Sequence, residues 1–206
     1  LIQKYDGPAC RICGIPTISE QTIICESCVK GQPFSKILYY GLYEGTLRKA
    51  IHLLKFNGIK RLSKPLCTLL MKLPLPESDI IIPVPLHLKR LRQREFNQTA
   101  LIGRRLSTEL GIPMIMNCLT KAKETAAQTS LKRDERLKNV KKTFAVLKNL
   151  DGKNVLLIDD VITTGATVKE CSDVLIKAGA KKVVVLALAH STPFELQKSG
   201  SPPMID

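Results

Sequence analysis

The chain holds 206 residues, the size of one full domain or of one domain with a small appendage. Its composition, 44% hydrophobic and 24% charged, excludes a collagenous, low-complexity or wholly disordered polymer. The longest apolar run, Val183 to Ala189, is far too short to span a bilayer, and no N-terminal apolar stretch follows a basic cluster, so the expected location is cytoplasmic. Thirty-two Lys and Arg against eighteen Asp and Glu leave a net charge of +14. A field of that sign gathers nucleic acid, phosphorylated metabolites or anionic lipid. Most of the excess lies between Lys89 and Lys142, and Arg90, Arg92, Arg133, Arg136 and Lys138 are the candidates there for meeting nucleic acid. With only 4% aromatic residues and no Trp, phosphate recognition fits better than a surface with many base-stacking platforms.

The first motif is Cys10-x2-Cys13 followed, after eleven residues, by Cys25-x2-Cys28. Each two-residue spacer lets both sulfurs face one ion, so four thiolates can converge on a tetrahedral Zn²⁺. Gly14 permits the tight turn such a knuckle needs. Two disulfides are the alternative, and the odd total of seven cysteines, with Cys67, Cys118 and Cys171 in apolar surroundings, argues for a reducing compartment instead. A site with four cysteines has no open coordination position and is expected to hold the fold. Residues 1 to 34 therefore read as a small zinc module and 35 to 206 as the main domain, with Gly31, Gln32 and Pro33 as the linker.

Further along, Ser35 to Tyr43 alternates loosely, and Leu47, Ile51 and Leu54 recur at helical spacing until Asn57 and Gly58. Leu66 to Leu73 predicts a second helix, ended by Pro74. Ile80 to Ile82 is a short strand stopped by Pro83 and Pro85, and Phe96 to Leu110 is a helix ending at Gly111. Strands are expected at Pro113 to Cys118, Thr143 to Leu147 and Val155 to Ile158, with a long basic segment between the first two. Strand and helix alternation with fully apolar strands predicts an α/β fold, a mostly parallel sheet with helices on both faces.

The most informative stretch begins where the strand Val155 to Ile158 ends. Asp159 and Asp160 are followed by Val161, Ile162, Thr163, Thr164, Gly165, Ala166 and Thr167, and then by a helix running to Lys177. Ligands of parallel sheets bind beyond the carboxyl ends of the strands, where the two carboxylates fall. A Thr-Thr-Gly-Ala-Thr turn presents backbone N–H groups at a helix N-terminus, with hydroxyls as further donors, which suits a phosphate. Neither the Walker A spacing nor the G-x-G-x-x-G dinucleotide turn is present. Phosphate donors beside paired carboxylates point to a sugar phosphate.

This stretch resembles the phosphoribosyl pyrophosphate (PRPP) signature of type I phosphoribosyltransferases. With the four cysteines, Tyr40-x-x-Tyr43, Lys55, Pro83-Val-Pro-Leu-His87, Arg94-Glu-Phe-Asn-Gln98, Thr125 with Gln128, and Arg136 with Asn139 and Phe144, the whole chain is similar to the ComF family of competence proteins (ComFC, amidophosphoribosyltransferase-like). It departs from the family pattern at Glu95, where Gly usually precedes Phe-Asn-Gln, and at Lys121, where Arg is usual. The resemblance implies a type I phosphoribosyltransferase-like domain in which Asp159 and Asp160 hold the ribose hydroxyls and carry the catalytic role. Residues Val161 to Thr167 would then form the PRPP loop around the 5′-phosphate. Pro85, Leu86 and His87 would lie on the pyrophosphate side, with Arg94, Lys121, Gln128, Arg133 and Arg136 able to reach the diphosphate. Mg²⁺ would accompany PRPP, with few protein ligands.

Two functions are consistent with this reading. In one, a cytosolic factor of natural transformation binds single-stranded DNA through its basic surface and the zinc module, the phosphoribosyl pocket serving as a sensor or allied activity, with a DNA-uptake helicase or other competence proteins as partners. In the other, an active phosphoribosyltransferase of nucleotide metabolism or salvage releases pyrophosphate from PRPP. His87 and His190 are weak candidates for acid–base work, and no recognition site for an incoming base or amine is evident.

Overall fold

The computed structural model describes residues 2–17, 23–86, 88–121 and 144–191. Four strands form its main sheet: β1 (Lys36–Leu42), β2 (Ile80–Pro83), β5 (Asn154–Ile162) and β6 (Lys182–His190). They pair in the order β1-β6-β5-β2, every pair parallel, with Tyr39 and Asp159 both opposite Ala187 and Ile82 opposite Leu157. A second sheet joins β3 (Leu119–Lys121) and β4 (Phe144–Val146) antiparallel. The helices are α1 (Glu26–Val29), α2 (Gly45–Phe56), α3 (Ser63–Leu70), α4 (Leu88–Arg94), α5 (Gln98–Leu110) and α6 (Ala166–Lys177), with a 3-10 turn at Lys60–Leu62 before α3. None of them is long and apolar enough to cross a membrane.

The central strands are apolar at consecutive positions because each face of the sheet is covered, as parallel strands require. On one face Val155, Leu157, Val183 and Val185 pack with Val168, Cys171 and Leu175 of α6. On the other, Leu156, Ile158, Val184 and Leu186 pack with Ile51 and Leu54 of α2, Leu66 and Leu70 of α3, and Ile102 and Leu106 of α5. Alternation along β5 then dictates the next two side chains. Asp159 belongs to the α6 face and Asp160 to the α2–α5 face, so one strand delivers two adjacent carboxylates to opposite sides.

The free edge of β1 is covered by the N-terminal segment. Tyr5 N–H donates to the Tyr40 carbonyl (2.9 Å), and Ile37 N–H donates to the Ile12 carbonyl (2.7 Å). This removes backbone groups that would otherwise template another chain. Ile12 and Cys13 reach the core beneath.

Four elements differ from the expectations. Pro113 to Cys118 forms one bridge, Met114 to Ile81, and the strand proper is Leu119–Lys121. Pro113 has no N–H to continue a ladder; its carbonyl accepts from Ile81, Ile115 donates back to Ile81, and the chain then turns. The second helix begins at Ser63, before the expected Leu66, because Pro65 is tolerated in a first turn. α4 was not anticipated: Leu88-Lys-Arg-Leu-Arg-Gln-Arg94 has too few apolar residues for a periodic signal. β5 continues to Ile162 because its ladder with β6 runs on through Val161 and Ile162, so Asp159 and Asp160 lie inside the strand and not beyond it.

Candidate functional site

The turn after β5 has the geometry its composition implies. Thr163, Thr164, Ala166 and Thr167 are exposed, and Gly165 sits at the N-terminus of α6 with φ +75°, a left-handed conformation that favours glycine. Ala166 N–H meets Thr164 Oγ1 at 3.4 Å. The opening N–H groups of a helix have no intrahelical acceptor and carry the positive end of its dipole, so this turn can receive an anion. Val161 and Ile162 contribute differently: their side chains pack into the two cores.

Asp160 is buried and fully engaged. Lys55 Nζ of α2 lies 2.6 Å from Asp160 Oδ1, and the Gln98 amide at the start of α5 donates to Oδ2. Gln98 in turn accepts from Arg94 (3.2 Å), whose guanidinium lies 4.6 Å from the centre of the Phe56 ring. Asp160 therefore anchors a chain of polar contacts from the core to the surface. Sequence reading placed Lys55 in the family pattern without a partner. The signal was its position four residues after buried Ile51, on the apolar stripe of α2.

Asp159 is half-buried, accepts from the Asp160 N–H (2.8 Å), and has no ion pair among the described residues. Burial, reinforced by the Asp160 charge, pushes its carboxyl up to about 7. A carboxyl raised in the folded state favours folding below its unfolded value, near 3.9, and loses that contribution as pH rises through the folded one. Asp159→Asn should therefore stabilise the protein by about 2 kcal/mol at about pH 8.5, less than the full linkage value because the side chain is partly open to water. The gain should vanish below about pH 4. Thermal melts across that range test it, and a pH-independent difference would refute the assignment.

Lys55, the partner of Asp160, lines a cavity of about 620 Å³ together with Tyr43, Phe56, Arg90, Arg94 and Phe96, among others. Arg90 and Arg94 thus meet on one wall, while Arg92 is exposed on α4 outside that lining. Pro85, Leu86 and Lys121 line a neighbouring, largely apolar groove of about 650 Å³ with Leu88, Leu91 and Met116. His87, Thr125, Gln128, Arg133, Arg136, Lys138 and Asn139 lie outside the described residues. Glu95 has φ +62°, the one non-glycine residue with positive φ among those described. A glycine would hold that conformation without strain, which explains the family pattern there.

The four N-terminal cysteines converge. Their sulfurs all lie within 4.8 Å of one another, and Cys13 and Cys25 are 3.6 Å apart. Tetrahedral zinc with Zn–S near 2.3 Å requires sulfurs roughly 3.8 Å apart, so the donor set fits one such ion. All seven cysteines are free thiols. Burial opposes ionisation of Cys10, but backbone N–H groups, that of Cys25 foremost, bring it down to about 6; burial pushes Cys28 up to about 11 and Cys13 higher still. Gly14 has φ +70°, and a Cβ there would stand 2.7 Å from the Tyr39 ring, so the tight knuckle turn also seats the cluster against β1.

A parallel sheet carrying two carboxylates into a Thr-Thr-Gly-Ala-Thr turn defines a phosphoribosyltransferase-type domain, and residues 100–200 match the family model described as "Phosphoribosyl transferase domain". Over 198 residues, 89% of this chain and 85% of the relative, the sequence is 35% identical to Competence protein F of Haemophilus influenzae. It is 31% identical over 199 residues (91% and 86%) to DNA utilization protein YhgH of Escherichia coli K12. It is 27% identical over 191 residues (86% and 75%) to Competence protein ComFC of Bacillus subtilis. The chain belongs to this family of competence and DNA utilization proteins. Among solved structures, glutamine PRPP amidotransferase of B. subtilis aligns over 61% of this chain and 25% of its own, at 22% identity and TM-score 0.46.

Proposed function

We propose that this protein binds PRPP, or a related phosphoribosyl compound, in the turn between β5 and α6, and that it handles incoming single-stranded DNA during natural transformation. The observation that carries the first half is the run from Asp159 to Thr167: helix-opening N–H groups and threonine hydroxyls for a phosphate, beside a carboxylate with no ion pair among the described residues. Asp159 is the group suited to accept hydrogen bonds from ribose hydroxyls, while Asp160, held by Lys55 and Gln98, fixes the strand end and keeps Arg94 at the cavity wall. A net charge of +14 and the names of the relatives support the second half.

The cysteine cluster is read as a structural zinc site, and free thiols suit a reducing, cytoplasmic setting. Among the described residues no cluster of three or more carboxylates offers Mg²⁺ a cage of its own. This is compatible with an ion that arrives on the diphosphate and takes most of its ligands from phosphate and water; once bound, it would neutralise charge on the diphosphate. The division into a zinc module at 1–34 and a phosphoribosyltransferase-like domain at 35–206 is part of the same reading, as is the partnership with a DNA-uptake helicase or other competence proteins.

Calorimetric titration with PRPP and Mg²⁺, wild type beside Asp159→Ala/Asp160→Ala, tests the pocket. Binding that the variant loses while still melting cooperatively is the expected result; equal affinity in both would sink the ribose assignment. Pyrophosphate release in the presence of a base or amine acceptor would favour the alternative, an active transferase of nucleotide metabolism or salvage.

A further inference from the structure

The chain is poor in aromatic residues, yet several of those described are gathered on one face, each against a cation. The Arg48 guanidinium lies 5.8 Å from the Tyr43 ring centre, Arg94 4.6 Å from Phe56, and Lys60 5.1 Å from Phe96. His52 tilts against Phe56 with ring centres 4.7 Å apart. Phe56 itself is 61% exposed, an unusual position for a ring that contributes little to the core. Tyr43, Phe56 and Phe96 all line the 620 Å³ cavity.

The same face is longer than a small-molecule pocket. Lys60, seated over Phe96, also lines a second cleft of about 400 Å³ with Arg61, Arg104 and Arg105. Glu95 is the acid of the first lining and Glu109 of the second, against Lys55, Arg90 and Arg94 in one and four cations in the other. Lys55 is neutralised by Asp160, but the balance stays positive along the whole path. Arg48 and Phe56 are two helical turns apart on α2, about 12 Å.

We propose that this face, from Arg48 and Tyr43 through Phe56 and Phe96 to Lys60 and Arg105, is the track on which single-stranded nucleic acid lies. Bases stack on the open rings and the backbone follows the cations. Only an unpaired base can present its face to Phe56, so the track selects single strands over duplex. The inference rests on the strand-handling reading above and gives it a location, one that joins Arg48, Phe56 and Lys60 to Arg94 and Arg105 of the basic stretch between Lys89 and Lys142.

Fluorescence anisotropy with a labelled oligothymidylate, and with a duplex of equal length, tests it. Phe56→Ala should weaken strand binding about ten-fold, a typical loss for one stacking platform. Phe56→Tyr should retain wild-type affinity, which a simple packing role for the ring would also allow; Phe56→Leu separates the two by keeping bulk without a ring, and should bind as weakly as alanine. Arg48→Ala should lower the log–log salt slope by about 0.7, while Lys182→Ala, at the amino end of the sheet, should leave it unchanged. Circular dichroism checks that each variant is folded, as the exposure of these side chains leads us to expect. A wild-type protein that ignores the oligonucleotide would overturn the strand-handling reading itself. Wild-type binding that Phe56→Ala, Phe56→Leu and Arg48→Ala leave intact would overturn this location and no more. A Phe56→Ala loss equally large for a labelled mononucleotide would make the face a small-ligand pocket and overturn the track.

Discussion

Lys55→Met is expected to destabilise the protein by about 3 kcal/mol, because it leaves the buried Asp160 carboxylate without its cation. For a chain of this size that corresponds to a fall in melting temperature of roughly 6–12 °C. The two partners are not equivalent. Asp160→Asn leaves the ammonium of Lys55, which lines an open cavity and can turn its head toward water along a flexible stem, so its cost should be nearer 1 kcal/mol. In a double-mutant cycle, Lys55→Met/Asp160→Asn should resemble the Asp160 variant alone. Equal losses from the two single variants, each within about 1 kcal/mol, would show that the pair contributes no more than a surface contact does.

This pair marks the boundary of what the sequence discloses. The carboxylates, the turn and the helix after them were readable because they are contiguous, and the apolar runs at Ile80, Val155 and Val183 announced a sheet buried on both faces. Lys55 and Gln98 stand 105 and 62 residues from Asp160 along the chain, and no local pattern names them as its partners. What could be read was a lysine on an apolar stripe and a glutamine opening a helix; the sheet order β1-β6-β5-β2 is what brings them together. The alternation that splits Asp159 from Asp160 was available in principle, but only if β5 is known to continue past Ile158.

Composition does not disclose where side chains gather. A low aromatic fraction argues against stacking platforms when residues are taken as scattered, yet Tyr43, Phe56 and Phe96 come from three separate segments and share one cavity. α4 escaped for a related reason: its charges face water, so periodicity had nothing to report, although Arg90 and Arg94 from it complete the cavity wall. The reverse holds for the cysteines. Their spacing fixed which sulfurs meet before any fold was considered, because a two-residue knuckle is a local structure.

Replacing Cys10 and Cys13 together by Ser is expected to abolish zinc binding and lower the melting temperature by about 10 °C, the equivalent of several kcal/mol of metal-linked folding energy. The reason for so large an effect lies in what the cluster supports. Residues 2–17 have few buried apolar side chains of their own, yet they cap the β1 edge through the Tyr5 and Ile12 bonds and place Ile12 and Cys13 on the core. If an ion holds the cluster, its loss would leave the four thiols without a shared centre, the knuckle at Gly14 with nothing to close it, and the edge of β1 without its cover. The exposed strand should then promote self-association, visible in light scattering before the melt. A chelator should reproduce both effects in the wild type and neither in the variant, and affinity for zinc should fall with pH as protons compete for the thiolates. Unchanged metal content in the variant would remove the zinc assignment. Lost metal with unchanged melting and no association would show instead that the N-terminal segment holds β1 without it.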